Sequence, residues 1–143
     1  MSLLRNLFGK RQPELPPVDF NVLKCDIHSH FIPGIDDVAP NMEASLELLR
    51  AMHELGFRKV ITTPHSMADG YKNPPEVILG GLEKLRRAVK EADIAMEVDA
   101  AAEYYLDHAL QEKTAKQQLL TIGNDMVLFE LPFISEPAVL LEM

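Results

Sequence analysis

The sequence predicts an α/β protein in which short parallel strands alternate with helices. Four short apolar or β-branched segments alternate with longer segments whose apolar residues recur at helical spacing. Such alternation favours a parallel sheet covered by helices on both faces. The chain has 143 residues, 47% hydrophobic and 25% charged, which suits one globular domain with its own core.

The first residues are expected to lie outside this domain. Three prolines within residues 12–17 favour an extended linker, and residues 1–12 have too few consecutive apolar side chains for a secretory signal. The single cysteine, Cys25, suits a reducing compartment. We therefore expect a leader and Pro-rich linker over residues 1–17, a folded unit over 18–143 and a cytoplasmic location without a transmembrane segment.

The first half of the folded unit is predicted to form a strand, a helix and a second strand. Residues 22–28 are mostly apolar and bounded by turn residues, which indicates a buried strand. After a loop, a helix is expected from the N-cap Asn41 to Leu55, where Gly56 ends it. The β-branched residues 60–63 indicate the second strand.

The second half continues the alternation. Pro74 and Pro75 begin a helix whose apolar residues keep helical spacing to Ala92. The remaining predictions are a third strand at 94–102, a short helix at 108–118, a fourth strand at 126–131 and a helix that begins at Glu136.

Imidazole and carboxylate side chains stand at the ends of all four predicted strands. His28 and His30 end the first strand and His65 follows the second, while Glu103 and Glu130 close the third and fourth. In β/α barrels, functional groups gather at the C-terminal ends of the strands. His28 and His30 are two residues apart, so in an extended segment their rings lie on the same side of the strand. We therefore expect a single pocket able to hold divalent cations.

Each of these residues also has a structural interpretation. A His-x-His pair occurs in packing or at surfaces, and His65 follows Pro64 as an ordinary loop residue does. Glu130 lies in an apolar segment, where a carboxylate is costly unless it is paired with a cation or bound to a metal. The adjacent Asp36 and Asp37 form either a solvated acidic turn or a further ligand.

The ligand types and the charge distribution indicate a class of reaction. Mixed nitrogen and oxygen ligands suit manganese, iron or zinc better than magnesium or calcium alone. A cluster of such ions favours hydrolysis of a phosphate ester. Residues 1–24 hold four basic and two acidic side chains, whereas the rest hold 10 and 20. Nucleic acid is therefore not an expected partner, since its phosphates repel so acidic a body.

Five motifs follow one another along the chain, at residues 26–30, 33–37, 63–65, 103–105 and 129–130. Together they resemble the manganese-dependent tyrosine-protein phosphatases of bacterial capsule and exopolysaccharide loci, in the PHP superfamily. The resemblance implies an incomplete, distorted β/α barrel with about four parallel strands and covering helices. It further implies two or three divalent ions, manganese first with iron or zinc as alternatives. The implied partner is a phosphotyrosine protein, such as a bacterial tyrosine kinase.

The resemblance also implies a role for each strand-end residue. The two histidines of the first motif bind one ion, and Glu103 bridges two ions. His65 and Glu130 complete the coordination of a second ion, and Asp37 binds a third ion. By this resemblance the metal ligands are His28, His30, Asp37, His65, Glu103 and Glu130, and the catalytic residues are Asp37, His65 and Glu103.

Two features depart from the family pattern. Val38 stands where the family usually has a glycine after its paired aspartates. The family also continues beyond the last motif with further ligands, and a complete barrel needs about 200 residues or more. We therefore expect the C-terminal part of the barrel to be absent, with self-association through the open edge, weakened metal binding and impaired hydrolysis.

Other functions are considered as alternatives. A histidinol-phosphatase-like PHP enzyme and a catalytically inactive metal-binding fragment remain open. A cysteine-dependent phosphatase is excluded, because the Arg required six residues after Cys25 is replaced by Phe31. An amidohydrolase is disfavoured because the third and fourth predicted strands lack lysine.

Overall fold

The computed structural model describes residues 20–132. The predictions for residues 1–17 and for a helix from Glu136 lie outside this part. None of the helices formed by residues 20–132 is both long and apolar enough to cross a bilayer. In chain order, the elements are β1 (Cys25–Asp26), α1 (Met42–Glu54), β2 (Lys59–Thr62), β3 (His65–Ser66), α2 (Pro75–Glu91), β4 (Glu97–Ala100), β5 (Glu103–Tyr105), α3 (His108–Ala115) and β6 (Leu128–Glu130).

The strands form two parallel sheets of three strands each. The first sheet has the order β1-β2-β4 and the second the order β3-β5-β6. Helix α1 lies between the paired strands β1 and β2, α2 between β2 and β4, and α3 between β5 and β6. Parallel neighbours require crossover connections of this kind. The structure confirms the predicted α/β class with parallel strands, but the described residues do not form a closed barrel.

The six strands exceed the four predicted because two long strands are each interrupted. Only Thr63 and Pro64 separate β2 from β3, and only Ala101 and Ala102 separate β4 from β5. Pro64 has no N–H to donate to a ladder. Contact resumes where the backbone N–H of Glu103 donates to the carbonyl of Pro64 at 3.1 Å. Glu103 therefore begins β5, and the prediction that it ends a third strand is wrong.

The first predicted strand is shorter and less buried than expected. Only Cys25–Asp26 pairs with β2. Val22, Leu23 and Ile27 are exposed rather than buried in the core. Lys24 has a φ of 60°, which marks a turn just before the strand. Within the described chain β1 is also an edge strand, so fewer neighbours are available to cover it.

The three helices agree with the predicted segments except for small shifts at their ends. The Asn41 side chain accepts a hydrogen bond from Ala44 N at 3.0 Å and caps α1, and Gly56 follows its end with a φ of 106°. Pro74 precedes α2. Helix α3 ends at Ala115, three residues before the predicted end. The core between helices and sheets includes Leu49, Val60, Ile78, Leu82, Leu85, Val98 and Leu110.

Helix α2 packs very closely against the loop that follows β1. A Cβ atom added at Gly81 would lie 2.3 Å from Cγ2 of Ile32, whereas one at Gly80 would meet nothing within 4 Å. Ile32 is fully buried and lies two residues after His30. The close contact at Gly81 therefore positions the loop that carries the predicted histidine ligands.

Candidate metal centre

The register of the second sheet brings three of the predicted ligands to one face. His65 stands opposite Glu103 in the β3–β5 ladder. Glu130 stands opposite Tyr105, two residues beyond Glu103, so both glutamates lie on the same side of the sheet. Nδ1 of His65 lies 3.0 Å from Oε2 of Glu103. Parallel pairing alone thus assembles half of the predicted ligand set.

The loop after β1 brings two more imidazoles to the same carboxylate. Nε2 of His28 lies 3.6 Å from Oε1 of Glu103, and Nε2 of His30 lies 3.3 Å from Oε2. Glu103 and His30 are buried, whereas half of the His28 side chain is exposed. Glu103 therefore lies at the centre of three histidines.

Hydrogen bonds orient the two rings of the β1 loop. Nδ1 of His30 donates to Oδ2 of Asp36 at 2.9 Å, because an ionised carboxylate can only accept. Nδ1 of His28 lies 2.8 Å from the hydroxyl of Thr63. In both rings Nε2 is then left to face Glu103. Metal-binding histidines are held by partners of this kind on their second nitrogen.

The electrostatic environment favours a cation at His30. Burial by itself lowers the pKa of this histidine. The hydrogen bond to Asp36 and the negative charges of Asp36, Glu103 and Asp37 outweigh burial and raise the pKa above 6.5. The same negative potential that retains a proton on the ring attracts a divalent cation.

The two adjacent aspartates occupy different positions. The side chain of Asp36 is fully buried beside His30. Asp37, which the resemblance implies as a ligand, is 56% exposed, and its Oδ1 lies 3.9 Å from Nε2 of His65. Val38, at the position where the resemblance expects glycine, is also exposed and leaves both acids near the histidines.

The residues present fit a metal ion. Nδ1 of His65 is buried and makes no hydrogen bond, although it lies 3.0 Å from Glu103 Oε2. This nitrogen and this carboxylate oxygen lie close together without a hydrogen bond between them. Two atoms that coordinate one cation have the same arrangement. The set of imidazoles and carboxylates suits manganese, iron or zinc. Within 4.8 Å of one another lie the ligand atoms of three groups: His28, His30 and Glu103; His30, Asp37 and His65; and His65, Glu103 and Glu130.

Asn73 supports this centre and has no counterpart in the predictions. Its buried side-chain amide donates to the carbonyls of His65 and Ile35, both at 2.9 Å. The two bonds join β3 to the loop of the paired aspartates. Nearby, the ring of Tyr71 stacks on His65 with centroids 5.7 Å apart. An isolated Asn before two prolines gives no sequence signal that distinguishes this role from an ordinary turn.

Comparison with known proteins identifies the family. Residues 24–140 match the family model described as capsular polysaccharide synthesis, CpsB/CapC. This chain belongs to the CpsB/CapC family. It is 33% identical over 113 residues to tyrosine-protein phosphatase YwqE of Bacillus subtilis, covering 78% of this chain and 44% of YwqE. It is 28% identical over 99 residues to tyrosine-protein phosphatase CpsB of Streptococcus pneumoniae, covering 69% of this chain and 41% of CpsB.

Comparison with solved structures also points to these two relatives. The matched structure comes from a crystallographic description of YwqE from Bacillus subtilis and CpsB from Streptococcus pneumoniae as metal-dependent tyrosine phosphatases. The TM-score is 0.75 at 31% identity, over 82% of this chain and 48% of the other. The CpsB/CapC chain described here therefore spans less than half the length of the relatives it matches.

Proposed function

We propose that this chain is the N-terminal part of a metal-dependent phosphatase that hydrolyses phosphotyrosine on proteins of capsule or exopolysaccharide synthesis. The observation that carries the proposal is the buried Glu103 carboxylate facing three imidazoles. The matched relatives are named tyrosine-protein phosphatases, and the solved ones are described as metal-dependent. We assign residues 18–143 to part of a PHP-type β/α barrel, preceded by a linker at 1–17.

The three groups of ligand atoms provide the basis for the metal assignment. Divalent ions bound there would polarise a phosphate oxygen and lower the pKa of a coordinated water. We propose manganese, with two or three ions in a complete family member. Mixed nitrogen and oxygen ligands support this choice and also admit iron or zinc. The proposed ligands are His28, His30, Asp37, His65, Glu103 and Glu130.

The chain's own residues hold the ligands in place and leave one side open. Asp36 keeps the proton of His30 on Nδ1, so Nε2 is free to coordinate. Asn73 holds the backbone of His65 from behind. Asp37 is the exposed member of the set, and we place it on the side from which substrate enters. Asp37, His65 and Glu103 are the proposed catalytic residues.

We further propose that the substrate is a cytoplasmic phosphotyrosine protein, a bacterial tyrosine kinase being one candidate. The family description and the phosphatase relatives support a substrate from the capsule pathway. A second candidate function, an inactive metal-binding fragment, is favoured by one observation. The chain covers only 44% of YwqE and 41% of CpsB.

A metal titration with a matched pair of variants tests the centre. Glu103→Gln keeps the shape of the central carboxylate and removes its charge, whereas Glu47→Gln makes the same change on the exposed face of α1. Loss of a supporting residue costs about 10–100-fold in affinity, so we expect Glu103→Gln to lower Mn²⁺ affinity by at least about 100-fold. Calorimetry measures this, and equal affinities for both variants would contradict the metal centre.

Hydrolysis separates the two candidate functions. With Mn²⁺ present, release of phosphate from a phosphotyrosine peptide that is faster than from histidinol phosphate supports the phosphatase. Tight Mn²⁺ binding with no release from either substrate supports the inactive fragment.

A further inference from the structure

A cavity of about 420 Å³ opens beside the candidate metal centre. Its lining combines Met67, Ala68 and Tyr105 with the polar side chains of Asp69, Asp107, His108 and Glu130. Glu130 also belongs to the ligand group of His65 and Glu103, so the cavity and the centre share a wall. The volume lies within the range of about 300–1,000 Å³ that is usual for small-ligand sites.

A half-buried hydrogen-bond network fixes the loop that lines the cavity. Oδ2 of Asp107 accepts a hydrogen bond from Ala68 N at 2.7 Å, while Oδ1 accepts from Ala109 N at 2.8 Å and Leu110 N at 3.1 Å. One carboxylate therefore fixes the loop after β3 against the start of α3. The three N–H dipoles partly offset the negative charge of Asp107. The network thus holds the loop and the start of the helix in fixed positions.

The lining suits a flat apolar group. Met67 offers a thioether, Ala68 a methyl group and Tyr105 an aromatic side chain. Thioether and aromatic groups both make favourable contacts with aromatic rings. The carboxylate of Asp69 at the same loop is fully exposed and faces Lys72 at 3.8 Å. Because Glu130 lines the cavity and belongs to a ligand group of the centre, an aryl group bound there would have its polar end toward the centre.

We propose that this cavity holds the phenyl ring of phosphotyrosine while the phosphate lies at the metal centre. The proposal rests on the proposed phosphatase function and adds the element that separates aryl from alkyl phosphates. A phosphoserine side chain has no ring and leaves the apolar wall in contact with water. Selectivity for the tyrosine ester would then arise on this chain, from the β3 loop and β5.

The test compares the full 143-residue chain with two alanine-to-tryptophan variants. Ala68→Trp fills the cavity, and Ala51→Trp adds the same bulk to the exposed face of α1. The Mn²⁺-loaded proteins are titrated calorimetrically with inorganic phosphate, O-phosphoserine and O-phosphotyrosine. Burial of the ring predicts that the wild type and Ala51→Trp bind phosphotyrosine at least about tenfold more tightly than phosphoserine. Ala68→Trp should lose this preference and keep its phosphate affinity.

The outcomes separate the cavity from the phosphatase function. Equal affinity for the two phosphoamino acids in the wild type overturns the aryl site alone. An undiminished preference in Ala68→Trp does the same. If none of the three ligands binds in a Mn²⁺-dependent way, the proposed function fails and the aryl site fails with it. Mn²⁺ affinity measured on each variant shows that the centre itself is intact.

Discussion

At the level of single residues, Asp36 and Asp37 are neighbours with different environments. Asp36 is buried and orients His30, whereas Asp37 is exposed and faces His65. The backbone turn between them therefore separates an orienting carboxylate from a candidate ligand. Asp36 keeps a second oxygen, Oδ1, that is buried without a hydrogen-bond partner, which adds to the negative potential on His30.

Replacing Asp36 tests this orienting role. In the metal-free chain we expect the pKa of His30 to lie above 6.5 and to fall in Asp36→Asn. Because the folded pKa is raised, the interaction stabilises the fold below the ordinary pKa and is lost as pH rises through the raised value. NMR titration of the imidazole C–H signals measures the pKa.

The same substitution is expected to weaken Mn²⁺ binding by about 10–100-fold, since it removes the partner of a ligand. Asp125→Asn, in an exposed turn, is the matched control. A His30 pKa that is unchanged in Asp36→Asn would contradict the orienting role.

At the level of elements, the helices could be predicted because their signals are local. The Asn41 cap and the prolines before α2 act within a few residues of the helix ends. The strand breaks depend on a neighbouring strand. Pro64 interrupts a ladder that forms only when β4 and β5 lie alongside it, so β3 lies beyond the second strand predicted at residues 60–63.

The candidate site also has some features that the sequence predicts and others that it does not. Glu130 could be anticipated because it is an acid at the end of an apolar strand. Glu103 could be anticipated because it directly follows a predicted strand, although in the structure it begins β5. The buried state of Asp36 and the double donation of Asn73 could not, since both depend on how the loops fold. Asp36 contacts His30 six residues away, and Asn73 donates to His65 and Ile35, eight and 38 residues away. Whether the six predicted residues bind metal remains a prediction.

Two adjacent glycines in α2 provide a test at this scale. Gly80→Ala should stabilise the chain by about 0.5–1 kcal/mol, because alanine is the better helix former and the position is open. Gly81→Ala should destabilise it by about 1–3 kcal/mol, because the new methyl group overlaps Ile32. Urea unfolding gives both values, and stabilisation by Gly81→Ala would show that the close contact is absent.

At the level of the whole molecule, the two sheets of the described chain have four edge strands, two in each sheet. Strand β1 is at one edge of the first sheet and β6 at one edge of the second. Along β6, Phe129 lies opposite Tyr104 in the ladder, yet Tyr104 is buried and Phe129 is 40% exposed. Leu131 is also exposed. An apolar edge with free hydrogen-bonding groups favours pairing with another chain.

We expect the 143-residue chain to self-associate through the β6 edge. Phe129→Lys should shift the equilibrium toward monomer, because a charged side chain on an edge strand opposes pairing. Val77→Lys changes an equally exposed apolar residue on α2 and should not. Sedimentation velocity over a range of concentrations measures the change. A wild-type chain that is monomeric at every concentration would contradict this expectation.

The pairing of His65 with Glu103 in the β3–β5 ladder has a consequence for the energetics of cation uptake. The backbone hydrogen bonds of the sheet set the spacing of these ligands, so little conformational entropy is left to lose when an ion enters. In a zinc finger the ion is required for the polypeptide to fold at all. Here the sheet already holds the carboxylates close together. A bound ion would therefore reduce the electrostatic repulsion between them and would not be required for folding.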